Sequence, residues 1–404
     1  MHNTVVLENY IWSIEMCLLS VVIATHNRAG YAKKSIESIL SIDVEEFQLI
    51  IHDTSDNNVL EEFCAEIQDA RLKYIHCNEL LSMTENFNRA LEYVQGEYTI
   101  MIGDDDTILS TAIKYCRYAK EKKIDVISQK ISAEYCWPDF RSKISGDFNA
   151  SSLIVNKFTS NQVTYEGRKQ YYEAVKNCFQ GTASLPKLYH GIVKTSLLLK
   201  IKENTGTYFH GVSPDISIAL SLAYNCERYI EVDYPITLPG SSGGSNAGRS
   251  AMRTHVGKLD DDPHMKRFKS YVWPNLLPRY FSVETVWAQA GLVTIQKIDN
   301  NKGFNFIKFY ALCLIKHRPY KKFIIDEIKK YKKVKGGFNC IIYTKIIYHM
   351  SYFYINGISN LSKKIIKYVF KKLKSQEKQK NIKANDIFEA RMIIEKELSK
   401  ETFE

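Results

Sequence analysis

Leu19-Ser20-Val21-Val22-Ile23-Ala24-Thr25-His26-Asn27-Arg28 is a short apolar run that stops on four polar residues. An unbroken run of this length, rich in branched side chains, reads as a strand buried on both faces, here Leu18 to Ala24. Working outward, Tyr31 to Leu40 reads as a helix, Phe47 to His52 as a second strand and Val59 to Ile67 as a second helix. Leu72 to His76 makes a third strand and Met83 to Val94 a third helix. Tyr98 to Ile102 is a fourth strand ending in Gly103-Asp104-Asp105-Asp106. Strand and helix patterns in alternation predict an α/β fold, a parallel or mixed sheet covered by helices. Ligands of open α/β sheets bind beyond the carboxyl ends of the strands. The loops Thr25-His26-Asn27-Arg28, Asp53-Thr54-Ser55-Asp56 and the Asp triplet therefore converge on one crevice.

The chain has 404 residues, which suits a domain of about 250 residues plus a second module. With 45% hydrophobic and 25% charged residues it has the composition of a folded globular protein. Nine cysteines, an odd number with no CxxC pair and no secretory leader pattern, argue against a disulfide framework and predict a reducing, cytoplasmic setting. Apolar runs fall short of the roughly 20 residues that span a bilayer. The net charge of +10 is unevenly placed: residues 301–404 carry +15, leaving −5 for residues 1–300.

Three adjacent carboxylates repel one another, and such a cluster persists when a divalent cation or several donors compensate it. A hard cation such as Mg2+ or Mn2+ takes oxygen ligands and keeps positions open for phosphate. An acidic turn or a helix cap is the plainer reading of the triplet alone.

Taken together, the Leu19–Arg28 stretch, Ile50-Ile51-His52-Asp53-Thr54-Ser55-Asp56 and Gly96 to Asp106 resemble family 2 glycosyltransferases of the GT-A fold, over about residues 17–235. The resemblance places Thr25, Asn27 and Arg28 in a donor-nucleotide pocket and Asp53 at the base. It puts Asp104 toward the ribose or a metal-bound water, makes Asp105 the metal ligand and has Asp106 support it. Two departures stand out: His52 replaces a frequent acidic residue, and Gly103 stands where many members have Asp. Asn86 and Arg89 match a segment that borders the donor pocket in relatives. Ser213-Pro214-Asp215 resembles the acidic motif that supplies the catalytic base, with Pro214 in place of the usual Glu. In that role Asp215 removes the acceptor hydroxyl proton. Its alternative is a first-turn partner of the helix dipole.

Pro239 to Gly248 reads as a mobile Gly/Ser loop. With Arg249, Arg253 and His255 it could fold over a diphosphate, and His255 is a candidate metal ligand. His190 and His210 read as structural. Residues 361–380 form a Lys-rich amphipathic pattern that suits an anionic membrane surface or packing on the protein, and 386–400 a mixed-charge helix. No nucleic-acid motif accompanies the lysines.

The expected architecture is thus a GT-A, Rossmann-like nucleotide-sugar-binding domain over 1–260, with a donor half at 17–110 and an acceptor half at 111–260. A mostly helical, basic C-terminal region follows over 261–404. The resemblance implies inverting transfer of a hexosyl or N-acetylhexosaminyl group from a nucleoside-diphosphate sugar, most often UDP-linked. The acceptor would be a glycan or lipid-linked saccharide in cell-surface polysaccharide biosynthesis, at the inner face of the cytoplasmic membrane. Oligomerisation is left open. A nucleotidyltransferase, whose Gly-rich, Lys-bearing loop is missing here, and an inactive glycan- or nucleotide-binding scaffold are the alternatives.

Overall fold

The computed structural model describes residues 4–7, 17–181, 184–252, 256–299, 303–336, 340–356 and 380–400. The strands of the first half are β1 (Thr4–Leu7), β2 (Leu19–Thr25), β3 (Phe47–Asp53), β4 (Leu72–Cys77), β5 (Tyr98–Ile102), β6 (Thr107–Ile108), β7 (Val126–Gln129), β8 (Ala133–Cys136), β9 (Ser152–Val155) and β10 (Gln162–Glu166). Those that follow are β11 (Gly191–Lys194), β12 (Arg228–Val232), β13 (Thr237–Leu238), β14 (Gly240–Ser241) and β15 (Lys380–Lys383). The main sheet runs β1-β4-β3-β2-β5-β11-β7-β12-β10. Strands β4, β3, β2 and β5 are parallel, whereas β11 opposes both of its neighbours. Thr25 pairs with Asp53 and Ile23 with Ile102, so the polar loops after β2, β3 and β5 emerge along one edge. The chain reverses its lateral direction between β2 and β5, which opens a crevice there.

Helices α1 (Ala29–Leu40), α2 (Val59–Ala65) and α3 (Met83–Ala90) occupy the positions read from the sequence. Ser82 and Glu85 cap α3 reciprocally. The pattern expected to continue to Val94 tightens into a 3-10 turn at Leu91–Tyr93. Farther on lie α4 (Thr111–Lys122), α5 (Gly167–Lys176), α6 (Thr195–Thr205), α7 (Pro214–Asn225), α8 (Asn246–Ala251) and α9 (Pro263–Lys266). A helical group of α10 (Val283–Ile298), α11 (Phe306–Lys316), α12 (Lys321–Lys335) and α13 (340–356) precedes α14 (Ile387–Leu398). Apolar faces of α5, α7 and α10 to α13 share one core.

The Gly/Ser stretch is not a mobile loop. Its first residues form β14, which extends a four-stranded sheet β14-β8-β9-β15, and Ser245 caps α8 through the amide of Gly248. Strand β15 and helix α14 fold back onto the N-terminal half, where Ile387, Ala390, Ile394 and Leu398 join the core beneath β2 and α1. Residues 361–379 lie outside the described residues. All nine cysteines are free, and no helix among the described residues is long and apolar enough to cross a membrane.

Candidate active site

The edge of β2 and β5, the strand β14 and the N-terminus of α7 enclose a cleft of about 580 Å³. Its floor is the Asp triplet, and the first compensation of those charges comes from the chain itself. Thr25 Oγ1 donates to Asp104 Oδ2 at 2.6 Å, and Arg28 Nε to Asp104 Oδ1 at 2.7 Å. Arg28 Nη2 lies 2.9 Å from Asp105 Oδ2 and donates to Ser242 Oγ at 2.8 Å; Ser242 in turn donates to Asp105. Burial works against the Arg28 cation, yet the charges of Asp104 and Asp105 raise its pKa above the ordinary value.

Asp106 is held from four sides. Its Oδ1 accepts the Gly240 amide at 2.6 Å, and Oδ2 accepts the Gly103 amide at 2.6 Å and the Tyr189 hydroxyl at 3.1 Å. His190 Nε2 approaches the same oxygen at 3.3 Å from a turn with φ of 62°. Burial pushes the Asp106 pKa up, but His190 and the two amides bring it below the usual carboxylate range. Glycine is required at 103, since a Cβ would meet the Tyr189 hydroxyl and the carboxylates of Asp105 and Asp106. This explains why a fourth aspartate does not stand there. Gly240 is equally constrained, by the Asp105 carbonyl and Trp137 Nε1.

Asp105 is the least satisfied of the three. Its Oδ1 accepts no hydrogen bond among the described residues, and burial with the charges of Asp106 and Asp104 pushes its pKa up to about 8, against the pull of Arg28. Burial also raises Asp104, with Arg28 and Thr25 opposing. Among the described residues no three His, Cys, Asp or Glu side chains gather to hold a metal by themselves. One open carboxylate oxygen with excess negative charge nevertheless fits a hard cation that takes its remaining ligands from water and phosphate. By this test Asp105 suits the ligand role, while the oxygens of Asp104 and Asp106 are engaged. His255 and Arg253 lie outside the described residues.

Asp215 is the second residue of α7 and lines the cleft. Its surface is open to the cleft, and its carboxylate has no hydrogen-bond or ion-pair partner among the described residues. The protein enclosing it raises its pKa, partly offset by the charge of His190. Asn86 also lines the cleft and ties it together, donating to the Thr25 carbonyl and meeting the buried His52 ring at 2.6 Å.

Asn27, Asp53 and Arg89 stand off the cleft wall. Asn27 exchanges hydrogen bonds with Asp56, joining the β2 and β3 loops. Both oxygens of Asp53 serve internal donors, Ser55 on one side and Tyr74 at 2.9 Å on the other. Arg89 turns to Glu79 on the surface. Arg249 is paired with Asp262 at 2.5 Å and does not fold over the cleft.

Sequence reading missed Tyr189, His264 and Arg267, held Ser242 only as part of the Gly/Ser stretch, and assigned His190 a structural role only. All but Ser242 line the cleft, and Ser242 joins Arg28 to Asp105 at its floor. His264 is anchored to the Val212 carbonyl at 2.6 Å. Arg267 is unusual: its Nε and Nη2 are buried with no hydrogen-bond partner among the described residues. Burial lowers its pKa, opposed by the charge of Asp56. No local motif marks these residues, because they come from segments that meet only in three dimensions.

The family model described as Glycosyl transferase family 2 matches residues 20–182, which carry β2 through α5 and the whole Asp triplet. The chain carries a family 2 glycosyltransferase domain. A beta-1,3-glucosyltransferase of Campylobacter jejuni, named for GalNAc(5)-diNAcBac-PP-undecaprenol, is 31% identical over 98 residues, 24% of this chain and 32% of that protein. An uncharacterized glycosyltransferase of Mycoplasma genitalium, MG060, is 28% identical over 167 residues, covering 37% of this chain and 56% of the other. The chain thus spans between a third and just over half of the length of these relatives. Among solved structures, S. aureus TarS 1-349 in complex with UDP-GlcNAc is similar at a TM-score of 0.43 and 15% identity, covering 78% of this chain and 73% of the other. Asp215 and Arg267 both lie beyond the matched family 2 segment.

Proposed function

We propose that the protein is an inverting, nucleotide-sugar-dependent glycosyltransferase of cell-surface glycan biosynthesis. In this reading a sugar moves from a UDP-linked donor to a glycan or lipid-linked saccharide at the cytoplasmic face of a membrane. Residues 1–260 form the catalytic unit, and the described residues of 261–404 pack around it. The carrying observation is that an unpartnered carboxylate of raised pKa, Asp215, faces the same cleft as the acidic triplet of the family 2 domain. A base must keep its carboxylate free of internal donors to reach the acceptor hydroxyl, and Asp215 is the cleft aspartate that does so.

Asp215 takes the proton of the acceptor hydroxyl as that oxygen attacks the anomeric carbon from the face opposite the departing diphosphate. The bond to the diphosphate breaks as the new glycosidic bond forms, so configuration inverts. A divalent cation held by Asp105 would supply charge neutralisation for the diphosphate. Arg28 and Ser242 keep Asp105 in place, and Asn86 holds the β2 end that forms one wall. Arg267, a half-buried cleft cation whose Nε and Nη2 lack hydrogen-bond partners among the described residues, is the residue best suited to the diphosphate oxygens, since buried guanidinium nitrogens without hydrogen bonds gain most from an anion.

A panel of nucleotide sugars is the direct test, read by metal-dependent thermal stabilisation and by transfer to saccharide acceptors. One donor that stabilises the protein with Mg2+ or Mn2+, and less so in the Arg267→Ala variant, is the expected result. Absence of stabilisation by every donor, with no hydrolysis, would refute the transferase reading.

A further inference from the structure

Helix α13 is buried along only one side, by Ile342 and Ile346, with Met350 and Phe353 partly covered on the same core. Its opposite side carries five large apolar side chains. Ile341, Ile347, Tyr348, Tyr352 and Ile355 lie within an arc of about 140° on a helix of 100° per residue. Ile347, Tyr348 and Ile355 are 62%, 67% and 67% exposed. Thr344 and Ser351 fall within the same arc, yet five large apolar side chains this close together on a surface mark something that covers them.

The neighbouring residues indicate what that is. Residues 340–356 contain no acidic side chain. The preceding α12, whose Ile324 and Ile328 share the core of Ile342, carries seven lysines against Asp326 and Glu327. Lys329 and Lys330 pair with those two acids. Lys321, Lys322, Lys333 and Lys335 have no ion-pair partner among the described residues. An exposed apolar face without acidic residues, on a helix that shares its core with one bearing uncompensated lysines, complements an anionic surface. It disfavours a second copy of this chain, which would bring the same positive charge to the interface. Exposed tyrosines beside isoleucines suit the headgroup region of a bilayer, where ring and hydroxyl find different surroundings.

We propose that α12 and α13 together form a docking face for an anionic bilayer. The Ile and Tyr side chains of α13 enter the headgroup boundary, and the α12 lysines meet lipid phosphates. The face is distinct from the Lys-rich 361–380 segment. It does not depend on the transferase reading, because docking needs no donor. The core beneath it also holds Ile216, Ala219 and Leu220 of α7, so the helix whose second residue is Asp215 shares the core behind the docking face.

Co-sedimentation of the full chain with phosphatidylcholine vesicles, with and without phosphatidylglycerol, tests this at low salt. The expected result is binding only to vesicles with the anionic lipid, about tenfold or more weaker for the doubly substituted Ile347→Glu, Ile355→Glu protein. A Tyr348→Trp variant should shift its emission to the blue on the same vesicles. Both substituted positions are exposed, and an unchanged melting temperature checks that the fold is retained. Wild-type binding by the double variant, an unmoved Trp emission or no vesicle binding at all would overturn the proposal. So would light scattering that shows a dimer dissociated by the double substitution.

Discussion

Asp215 and Asp105 are both cleft aspartates of raised pKa, yet their surroundings assign them different work. Asp215 has no internal partner, so Asp215→Asn should leave donor-induced stabilisation unchanged while turnover falls by about a hundredfold or more. The base acts only when deprotonated. With its pKa raised above the ordinary aspartate value of 3.8, turnover should therefore fall on acidification through a value above the usual aspartate range. A pH–rate profile whose acid limb follows 3.8 or lower would return Asp215 to a helix-end role. For Asp105, a cation must displace a proton held up to about 8. Stabilisation by Mg2+ or Mn2+ should accordingly strengthen as pH rises toward 8, and Asp105→Asn should abolish it. In the absence of metal the sign reverses. Between the unfolded value near 4 and the folded one the native state holds the extra proton, so this group's contribution to stability is lost as pH rises. Melting curves of both proteins across that range, with EDTA or metal, measure the effect.

At the scale of elements, the short strand β14 decides whether the triplet is organised. It brings the Gly240 amide to Asp106 and leads directly into Ser242, which reaches Asp105 and Arg28. The close approach of its backbone to the Asp105 carbonyl leaves no room for a side chain. A Gly240→Ala substitution should therefore move β14 away from the triplet and remove nucleotide and metal stabilisation. The main sheet should melt within a few degrees of wild type, since β14 belongs to the separate four-stranded sheet. Intact donor binding by this variant would show that β14 is not needed to hold Asp105.

For the molecule as a whole, the C-terminal segment is a part of the N-terminal core. Strand β15 pairs with β9, and Arg391, 2% exposed, donates to Ser38 of α1 and to Ser41 just beyond it while pairing with Glu395. Glu395 in turn accepts the Ser110 amide at 2.7 Å. Truncation before residue 380 should abolish soluble expression or lower the melting temperature severely, because it uncovers the faces that Ile387, Ala390 and Ile394 close. The single substitution Ile394→Ala, at a fully buried position, should cost about 2–5 kcal/mol in urea unfolding. Wild-type stability of either protein would mean that the two halves are energetically separate.

The sequence alone determined the alternating strands and helices of residues 18–102, because each strand is buried on both faces and leaves an unbroken apolar signature between polar turns. It also determined that the polar loops share one edge, since parallel strands joined by helices present the same end. Asp104, Asp105, Asp106, Thr25, Arg28, Asn86 and Asp215 accordingly reach the cleft. Only the tertiary structure decided which of them remain free. Arg28, legible as a donor ligand, is engaged by Asp104 and Asp105, and Asp53 by Ser55 and Tyr74. His190 and Arg267 came to the site from distant segments whose local sequence is ordinary, and Ser242 from within the Gly/Ser stretch. The Gly/Ser stretch read as mobile for a related reason: glycine composition signals conformational freedom in an isolated chain. Whether that freedom is kept or used for a close backbone approach depends on what packs against it, here the backbone and carboxylates of Asp105 and Asp106.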